Sequence, residues 1–301
     1  MASLISYGGL NLDLETEIEP TGSPTSARLD LCEVVIYTTL FGDYDELPPI
    51  SNALHGVRFI CFSDKVQTAL GWETILVEDQ EKTPNLSAKR YKILPHKYLK
   101  QFKFSLFVDA NIIFSGRLIE LLNRCFMAGD FVMWRHPDRN CVYRELSTII
   151  GHNRYKAAPV IQQVRHYHES GLPQNVGLVE ASFIWRSHTN TFLNALMEKW
   201  WDHNLKWSSR DQLSLGFLLW SDGPKPRLLS DDLGTSRRNS FFAKVPHHRH
   251  RRRFRAFATV PQRRKVVFLY HEKAKHSGSS IMRGQQLCDI LRQNIEECDF
   301  E

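Results

Sequence analysis

Short apolar runs alternate with longer amphipathic segments from Cys32 onward. Apolar, β-branched runs of five to eight residues predict buried strands at 33–39, 57–64, 72–77, 104–108, 130–134 and 178–185. The longer segments between and after them predict helices at 85–100, 119–125, 143–169, 191–202 and 211–220. Strands that alternate with helices predict an α/β fold, with a mostly parallel central sheet flanked by helices.

The pattern divides the chain into four segments. Residues 1–31 form a polar lead-in, 32–245 the α/β domain, 246–264 a basic linker, and 265–301 one further strand and helix. One strand and one helix cannot bury both of their faces, so they predict the first βα unit of a second, truncated domain. The alternative is that this unit docks on the sheet of the first domain.

Composition places the chain among soluble globular proteins. Of its 301 residues, 42% are hydrophobic and 24% charged. No run approaches the ~18 apolar residues of a membrane-spanning helix. The acidic N-terminal segment does not resemble a signal peptide. The six cysteines are scattered and form no C-x-x-C pair, which argues against zinc and predicts a reducing, cytoplasmic location.

The net charge of +6 is concentrated near residues 247–255, where eight of the nine residues are His or Arg and the ninth is Phe254. Such a run predicts peripheral contact with an anionic membrane surface. The alternative is a solvated linker. The run lacks the interleaved aromatics that stack on bases, which argues against nucleic acid.

The sequence Asp109-Ala110-Asn111 directly follows a predicted buried strand. Unpaired polar groups at the end of a buried strand cost roughly 1–3 kcal/mol each, so packing alone does not explain them. At the carboxyl edge of a parallel sheet, these oxygen ligands suit Mn²⁺ or Mg²⁺ bound against a diphosphate. An amide in place of a second carboxylate weakens the charge of such a site.

Several other polar segments are expected at the same edge of the sheet. Thr38 and Asp64 end the first two strands, where a nucleotide base could lie. Lys89, Arg90 and Lys92 lie on a basic helix and could reach a diphosphate, although each could equally be a solvated helix charge.

Two further clusters complete the candidate site. Asp211 and Gln212 open a predicted helix, where they either face a sugar or simply cap the helix. His136 and Arg139 belong to a dense polar segment after a strand, which predicts an acceptor- or phosphate-facing loop, or an ordinary salt-bridged one.

A set of motifs in a specific order resembles one family over residues 33–245. The motifs are Ile36-Tyr37-Thr38, Phe41-Gly42-x-Tyr44-Asp45, Phe59 to Asp64, Lys92 to His96, Phe107 to Asn111, Arg135-His136, Gly171-Leu172-Pro173, Gly177-Leu178 and Arg210 to Ser214. They resemble the glycosyltransferase-like family once catalogued as a domain of unknown function. That family occurs in bacterial polysaccharide clusters and in plant cell-wall and mucilage proteins.

The family is similar in turn to the family 8 glycosyltransferases, which have a GT-A fold. Their Asp-x-Asp metal motif, Asn-x-Gly segment and Asp-Gln pair are matched here by Asp109 with Asn111, by Asn175 with Gly177, and by Asp211 with Gln212. The family 8 enzymes also have a metal-binding histidine late in the chain, and His248 is one candidate for it here. The tail from Lys265 resembles the start of a GT-B-type domain.

The resemblance implies a retaining, Mn²⁺- or Mg²⁺-dependent glycosyltransferase. The donor favoured by the resemblance is a nucleotide sugar, first of all a UDP-sugar. The acceptor would be a growing or lipid-linked glycan of capsule or O-antigen type. The alternative is a catalytically weak nucleotide- or glycan-binding module. Lipid hydrolysis ranks last, since no nucleophile-elbow or zinc motif is present.

Overall fold

The structure, a computed structural model of the chain, describes residues 28–77, 81–152, 157–221 and 223–246. The strands within these ranges are β1 Val34–Leu40, β2 Arg58–Ser63, β3 Glu73–Leu76, β4 Phe104–Val108, β5 Ile112–Phe114, β6 Phe131–Arg135, β7 Val179–Ser187, β8 Arg227–Leu228 and β9 Phe242–Lys244. The helices are α1 Pro84–Ile93, α2 Pro95–Tyr98, α3 Leu118–Ala128, α4 Val142–His152, α5 Ala157–Glu169, α6 Thr191–Lys206, α7 Asp211–Ser221 and α8 Ser230–Leu233.

Seven of these strands form the central sheet, in the order β3-β2-β1-β4-β7-β6-β8. Neighbouring strands pair in parallel except at β7, which is antiparallel to both β4 and β6. The predicted α/β class with a mostly parallel sheet is therefore confirmed, and the arrangement is GT-A-like. Because β7 is reversed, its first residues lie at the edge where the parallel strands end.

The central strands β1 and β4 are largely apolar because both of their faces are buried. On β1, Val35 and Tyr37 pack into the core below α1, α6 and α7, whereas Val34 and Ile36 pack into a second core against α3. Side chains alternate between the faces of a strand, so only a continuous apolar run can fill both cores. The strand predictions were accurate for this reason.

Two of the predicted helices are in fact pairs of helices. The segment predicted at 85–100 breaks at Leu94, because the Pro95 that follows has no backbone N–H and disfavours helical geometry in the residue before it. The segment predicted at 143–169 is divided into α4 and α5. The pattern also missed β5, β8, β9 and α8, which have only two to four residues each.

A second, two-stranded sheet ties the end of the domain to the edge of the main sheet. The strand β5 pairs with β9 in antiparallel register, from Ile112↔Lys244 to Phe114↔Phe242. Asn111 continues this ladder: its backbone carbonyl accepts from Val245 N at 2.9 Å. Its side-chain amide also donates to the Val245 carbonyl at 2.7 Å. We call residues 242–245 the β9 strap.

The first compact unit of the chain ends at Val245. The predicted lead-in up to residue 27, the basic run at 247–255 and the further strand and helix at 265–301 lie outside the described residues. Among the helices that the structure describes, none is both long and apolar enough to cross a membrane.

We predict that Asn111→Ala loosens the β9 strap. Asn111 is buried, and its loss leaves the Val245 carbonyl without its side-chain donor. The free energy of unfolding should fall by roughly 1–3 kcal/mol. Urea denaturation checks this. Asn123→Ala, at an exposed position on α3, should change the stability by less than ~0.5 kcal/mol. Equal effects of the two variants would contradict the structural role of Asn111.

Candidate active site at the carboxyl edge of the sheet

Several of the polar residues predicted for the site lie close together where the parallel strands end. The strands β1, β2, β4 and β6 end at this edge, and the reversed β7 begins there. Asp109, directly after β4, donates its backbone N–H to the Ser182 carbonyl of β7 at 3.0 Å. In open α/β sheets this carboxyl edge is the usual place for a ligand.

The centre of the site is a buried ion cluster of two lysines and one aspartate. Lys89 Nζ lies 2.6 Å and Lys92 Nζ 2.7 Å from the same oxygen, Asp211 Oδ2. The two lysines are three residues apart and so share one face of α1. Helix side chains lean toward the N-terminus, and α1 begins on the side of the sheet where β3 ends, so both ammonium groups point to the carboxyl edge.

Asp211 is ionised at neutral pH despite its burial. It is 2% exposed at the start of α7. Burial alone would raise the pKa of this carboxyl, but the cations of Lys89, Lys92 and Arg210 outweigh burial and hold the pKa well below its ordinary value. The positive end of the α7 dipole favours the same ionised state. Burial and the neighbouring Lys89 lower the pKa of Lys92, and Asp211 opposes them.

A buried arginine holds the backbone from which Lys92 projects. Arg186 on β7 is 1% exposed and donates to the carbonyls of Lys92, at 2.8 Å, and Ile93, at 3.2 Å. It also donates to the Tyr37 hydroxyl, which itself donates to the Lys92 carbonyl at 2.8 Å. These carbonyls lie in the last turn of α1, which has no further helical N–H to accept from. Arg186 therefore supplies the missing donors and a favourable charge for a helix C-terminus.

A second buried network joins the loop after β6 to the start of α7. Glu145 on α4 is fully buried, lies 2.5 Å from Arg139 Nε and accepts from Arg210 at 2.5 and 2.8 Å. Arg210 also donates to the side-chain oxygen of Gln212, whose amide nitrogen donates to the Val179 carbonyl at 3.4 Å. Glu145 thus connects the predicted acceptor loop to the Asp-Gln pair.

His136 is neutral in this network. Its Nδ1 accepts from the backbone N–H groups of Asp138 and Arg139, both at 3.1 Å. Burial, and after it the Arg139 cation, lowers the pKa of His136 to about 4. The imidazole therefore contributes no positive charge toward a phosphate near pH 7, and Arg139 is the cation of this loop.

The three residues predicted to bind a metal have different surroundings. The side chain of Asp109 is 39% exposed, with Lys92 Nζ 3.9 Å from its Oδ1. The amide nitrogen of Asn111 is bonded to the β9 strap, and His248 lies outside the described residues. Within the described ranges, no group of three His, Cys, Asp or Glu side chains could hold a metal ion. Among the described residues of the predicted motif, Asp109 is therefore the one carboxylate for a Mn²⁺ or Mg²⁺ ion, and the ammonium group of Lys92 beside it opposes a further cation there.

The residues predicted for the donor base lie around the loop after β1. Thr38 is fully buried, and its hydroxyl has no hydrogen-bond partner among the described residues. Asp64 accepts from the backbone N–H of Gly42 at 2.9 Å and so shapes the loop. Gly42 has a positive φ of 64°, which a glycine adopts without strain.

Arg90, Asn175 and Gly177 are among the predicted residues that do not join the ion cluster. Arg90 projects from another face of α1, where its guanidinium contacts the Tyr98 hydroxyl at 2.6 Å and Glu81 at 3.1 Å. Asn175 and Gly177 both have positive φ, and Gly177 N donates to the Asn140 carbonyl at 2.9 Å. The Asn-x-Gly segment therefore holds the loop after β6 by a backbone contact.

Sequence reasoning missed two residues of this edge, Glu180 and Lys244. It also missed Arg186, which supports the end of α1 from the far end of β7. Glu145 was considered only as part of the polar segment after β6. Lys244 on the β9 strap contacts Glu180 and donates to Ser182 Oγ at 2.7 Å. Glu180 and Ser182 interrupt an apolar run, which is a signal that could have identified them. They lie at a β-bulge, where the pairing of β7 with β6 shifts from Met133↔Ile184 to Trp134↔Glu180.

A family model matches this chain over residues 20–247, and its description is TOD1/MUCI70, glycosyltransferase-like domain. The chain belongs to this family. The match covers most of the chain and all three residues of the ion cluster. It confirms the resemblance inferred from the order of motifs. No curated protein matches the chain. Membership of the TOD1/MUCI70 family supports a transferase, with a sugar donor and a glycan acceptor in general.

We predict that Asp211→Asn destabilises the fold in a pH-dependent way. Removing one partner of a buried ion cluster costs roughly 3–5 kcal/mol at pH 7. The folded-state pKa of Asp211 is lowered, so its contribution is complete above the ordinary aspartate pKa and is lost as pH falls through the folded-state pKa. The stability difference between wild type and variant should therefore narrow below about pH 4.

Urea denaturation at several pH values measures this difference. Asp202→Asn, at an exposed position of α6, is the matched control and should show little change at any pH. A stability difference for Asp211→Asn that stays constant as the pH falls would contradict the lowered pKa of this carboxyl.

Proposed function

We propose that this domain transfers a glycosyl group from a nucleoside-diphosphate sugar to a hydroxyl group of a glycan. Membership of the glycosyltransferase-like family supports this activity. The observation that carries the proposal is the ion cluster itself, in which Lys89 and Lys92 hold an ionised Asp211 at the carboxyl edge of a GT-A-like sheet.

The lysines would stabilise the leaving group. In the reaction, the bond between the anomeric carbon and the diphosphate oxygen breaks, and its electron pair stays on the diphosphate. Fixed cations at that position lower the barrier because they stabilise charge that develops in the transition state. An ammonium group has three N–H donors. Lys89 and Lys92 therefore keep donors for phosphate oxygens while they contact Asp211.

Asp211 would act on the sugar as a carboxylate. Because its pKa is well below the ordinary value, it carries no proton to donate near pH 7. It can accept hydrogen bonds from sugar hydroxyls, and its negative charge can stabilise positive charge at the anomeric carbon. The acceptor hydroxyl forms the new bond to that carbon and releases its proton to solvent.

The acceptor would lie on the side of Gln212 and Arg139. Both belong to the network centred on Glu145, which holds the loop after β6 against the start of α7. Arg139 offers a cation and Gln212 an amide to acceptor groups. His136, being neutral, can offer only hydrogen bonds.

The finer features implied by the resemblance stay predictions. These are the Mn²⁺ or Mg²⁺ cofactor, retention of configuration, the UDP-sugar donor, the lipid-linked, capsule- or O-antigen-type acceptor and the cytoplasmic location. Contact of residues 247–255 with an anionic membrane also stays a prediction, because that run lies outside the described residues. The steps proposed for the ion cluster do not involve a metal.

A second candidate function is a module that binds a nucleotide or a glycan without turnover. The observation that favours it is the amide of Asn111, which bonds to the β9 strap and leaves Asp109 as the one carboxylate of the predicted metal motif.

We expect the full chain to release a nucleoside diphosphate from one member of a panel of nucleotide sugars, when glycan acceptors are present. Asp211→Asn should lower this rate about 100-fold or more, since it removes a charge that faces the reacting centre. Coupled detection of the released diphosphate gives the rate, and circular dichroism establishes that the variant is folded. Asp202→Asn should keep the wild-type rate.

The two candidate functions give different results in this assay. Turnover that depends on Asp211 supports the transferase. Binding of a nucleotide sugar or glycan without turnover of any donor would favour the binding module and would overturn the transferase proposal.

A further inference from the structure

Every carboxylate of the ion cluster and its neighbours has a basic partner from the chain itself. Asp109 faces Lys92, Asp211 faces Lys89 and Lys92, Glu145 faces Arg139 and Arg210, and Glu180 faces Lys244. A divalent cation that bound at this edge would have to compete with an ammonium or guanidinium group for each carboxylate.

The identity of Asn111 follows from the β9 strap. Its amide nitrogen donates to the Val245 carbonyl at 2.7 Å, and an aspartate at this position could not donate that hydrogen bond. At the position where a metal motif would have its second carboxylate, the side chain therefore donates a hydrogen bond to the backbone. Its side chain is buried, and its amide group is held by this bond on the strap side.

A cation of the chain already lies beside the remaining carboxylate. Lys92 Nζ is 3.9 Å from Asp109 Oδ1 and lies 4.8 Å from the centre of the Phe107 ring. The Lys92 side chain is 5% exposed, and its backbone is held by Arg186 and Tyr37. A divalent cation on Asp109 would be repelled by an ammonium group that has little room to move away.

We propose that this site binds the nucleoside diphosphate through Lys89 and Lys92, without a divalent cation. The inference rests on the proposed function and concerns the chemistry by which its donor is bound. Both lysines contact one oxygen of Asp211, so each ammonium group keeps N–H donors for phosphate oxygens. Lys89 is the more accessible of the two, at 16% exposure, and would meet the diphosphate first.

Isothermal titration of the full chain with UDP, ADP and GDP tests this inference. Each titration is done once with excess EDTA and once with Mn²⁺, and Mn²⁺ alone is a further titrant. We expect at least one of the three nucleotides to bind with a Kd that is the same, within about twofold, in EDTA and in Mn²⁺. Mn²⁺ alone should give no binding heat above dilution.

Lysine variants connect the binding to the ion cluster. Lys89→Met and Lys92→Met should each weaken diphosphate binding about tenfold or more, because charge-assisted hydrogen bonds to phosphate are lost. If Lys92→Met does not fold, the Kd of Lys89→Met alone tests the inference, since the Lys89 side chain reaches solvent and its replacement should leave the fold intact. Lys103→Met, an exposed lysine paired with Glu33, is the matched control and should leave the Kd unchanged.

Three results would overturn the inference, and they are distinguishable. Binding that occurs only with Mn²⁺ would show that the site needs a metal, while the proposed transferase stands. Metal-free binding that is insensitive to Lys89→Met would place the diphosphate elsewhere. Absence of binding for all three diphosphates in both conditions would count against the proposed function itself.

Discussion

The contact between Asp211 and the two lysines of α1 is the interaction on which the candidate site depends. It joins residues that are 119 and 122 positions apart in the chain and brings α1 against the start of α7. Buried charges are costly to desolvate, so such a cluster persists only when geometry and further hydrogen bonds compensate for that cost. Here two ammonium groups share one carboxylate oxygen, and the α7 dipole adds to the stabilisation of the negative charge.

The surrounding residues hold this cluster by its backbone rather than by its side chains. Arg186 and Tyr37 fix the last turn of α1, and Trp200 Nε1 donates to the Asp211 carbonyl at 3.0 Å. All three side chains are fully or almost fully buried. Because a charge that acts on a transition state must be positioned before the reaction begins, rigid support of this kind suits electrostatic catalysis. The second network, centred on Glu145, attaches the loop after β6 to the same helix start.

The local pattern was sufficient for the fold class and for the kinds of residue at the carboxyl edge. Largely apolar runs located β1, β4 and β6 closely, because strands that are buried on both faces hold few polar residues. The pattern did not show that β7 is reversed, since strand direction depends on its partners and not on its composition. It also singled out three basic residues on α1, of which Arg90 projects away from the other two.

The sequence by itself determined the order of strands and helices, the family and the set of charged side chains that end the strands. Those features follow from local periodicity and motif order, which need no knowledge of distant contacts. Only the tertiary structure decided the partner of each polar group. The bond of Asn111 to Val245 spans 134 residues, and that of Arg186 to Lys92 spans 94. Contacts at such separations depend on how the sheet and its helices pack, and the residues themselves carry no local signal for them.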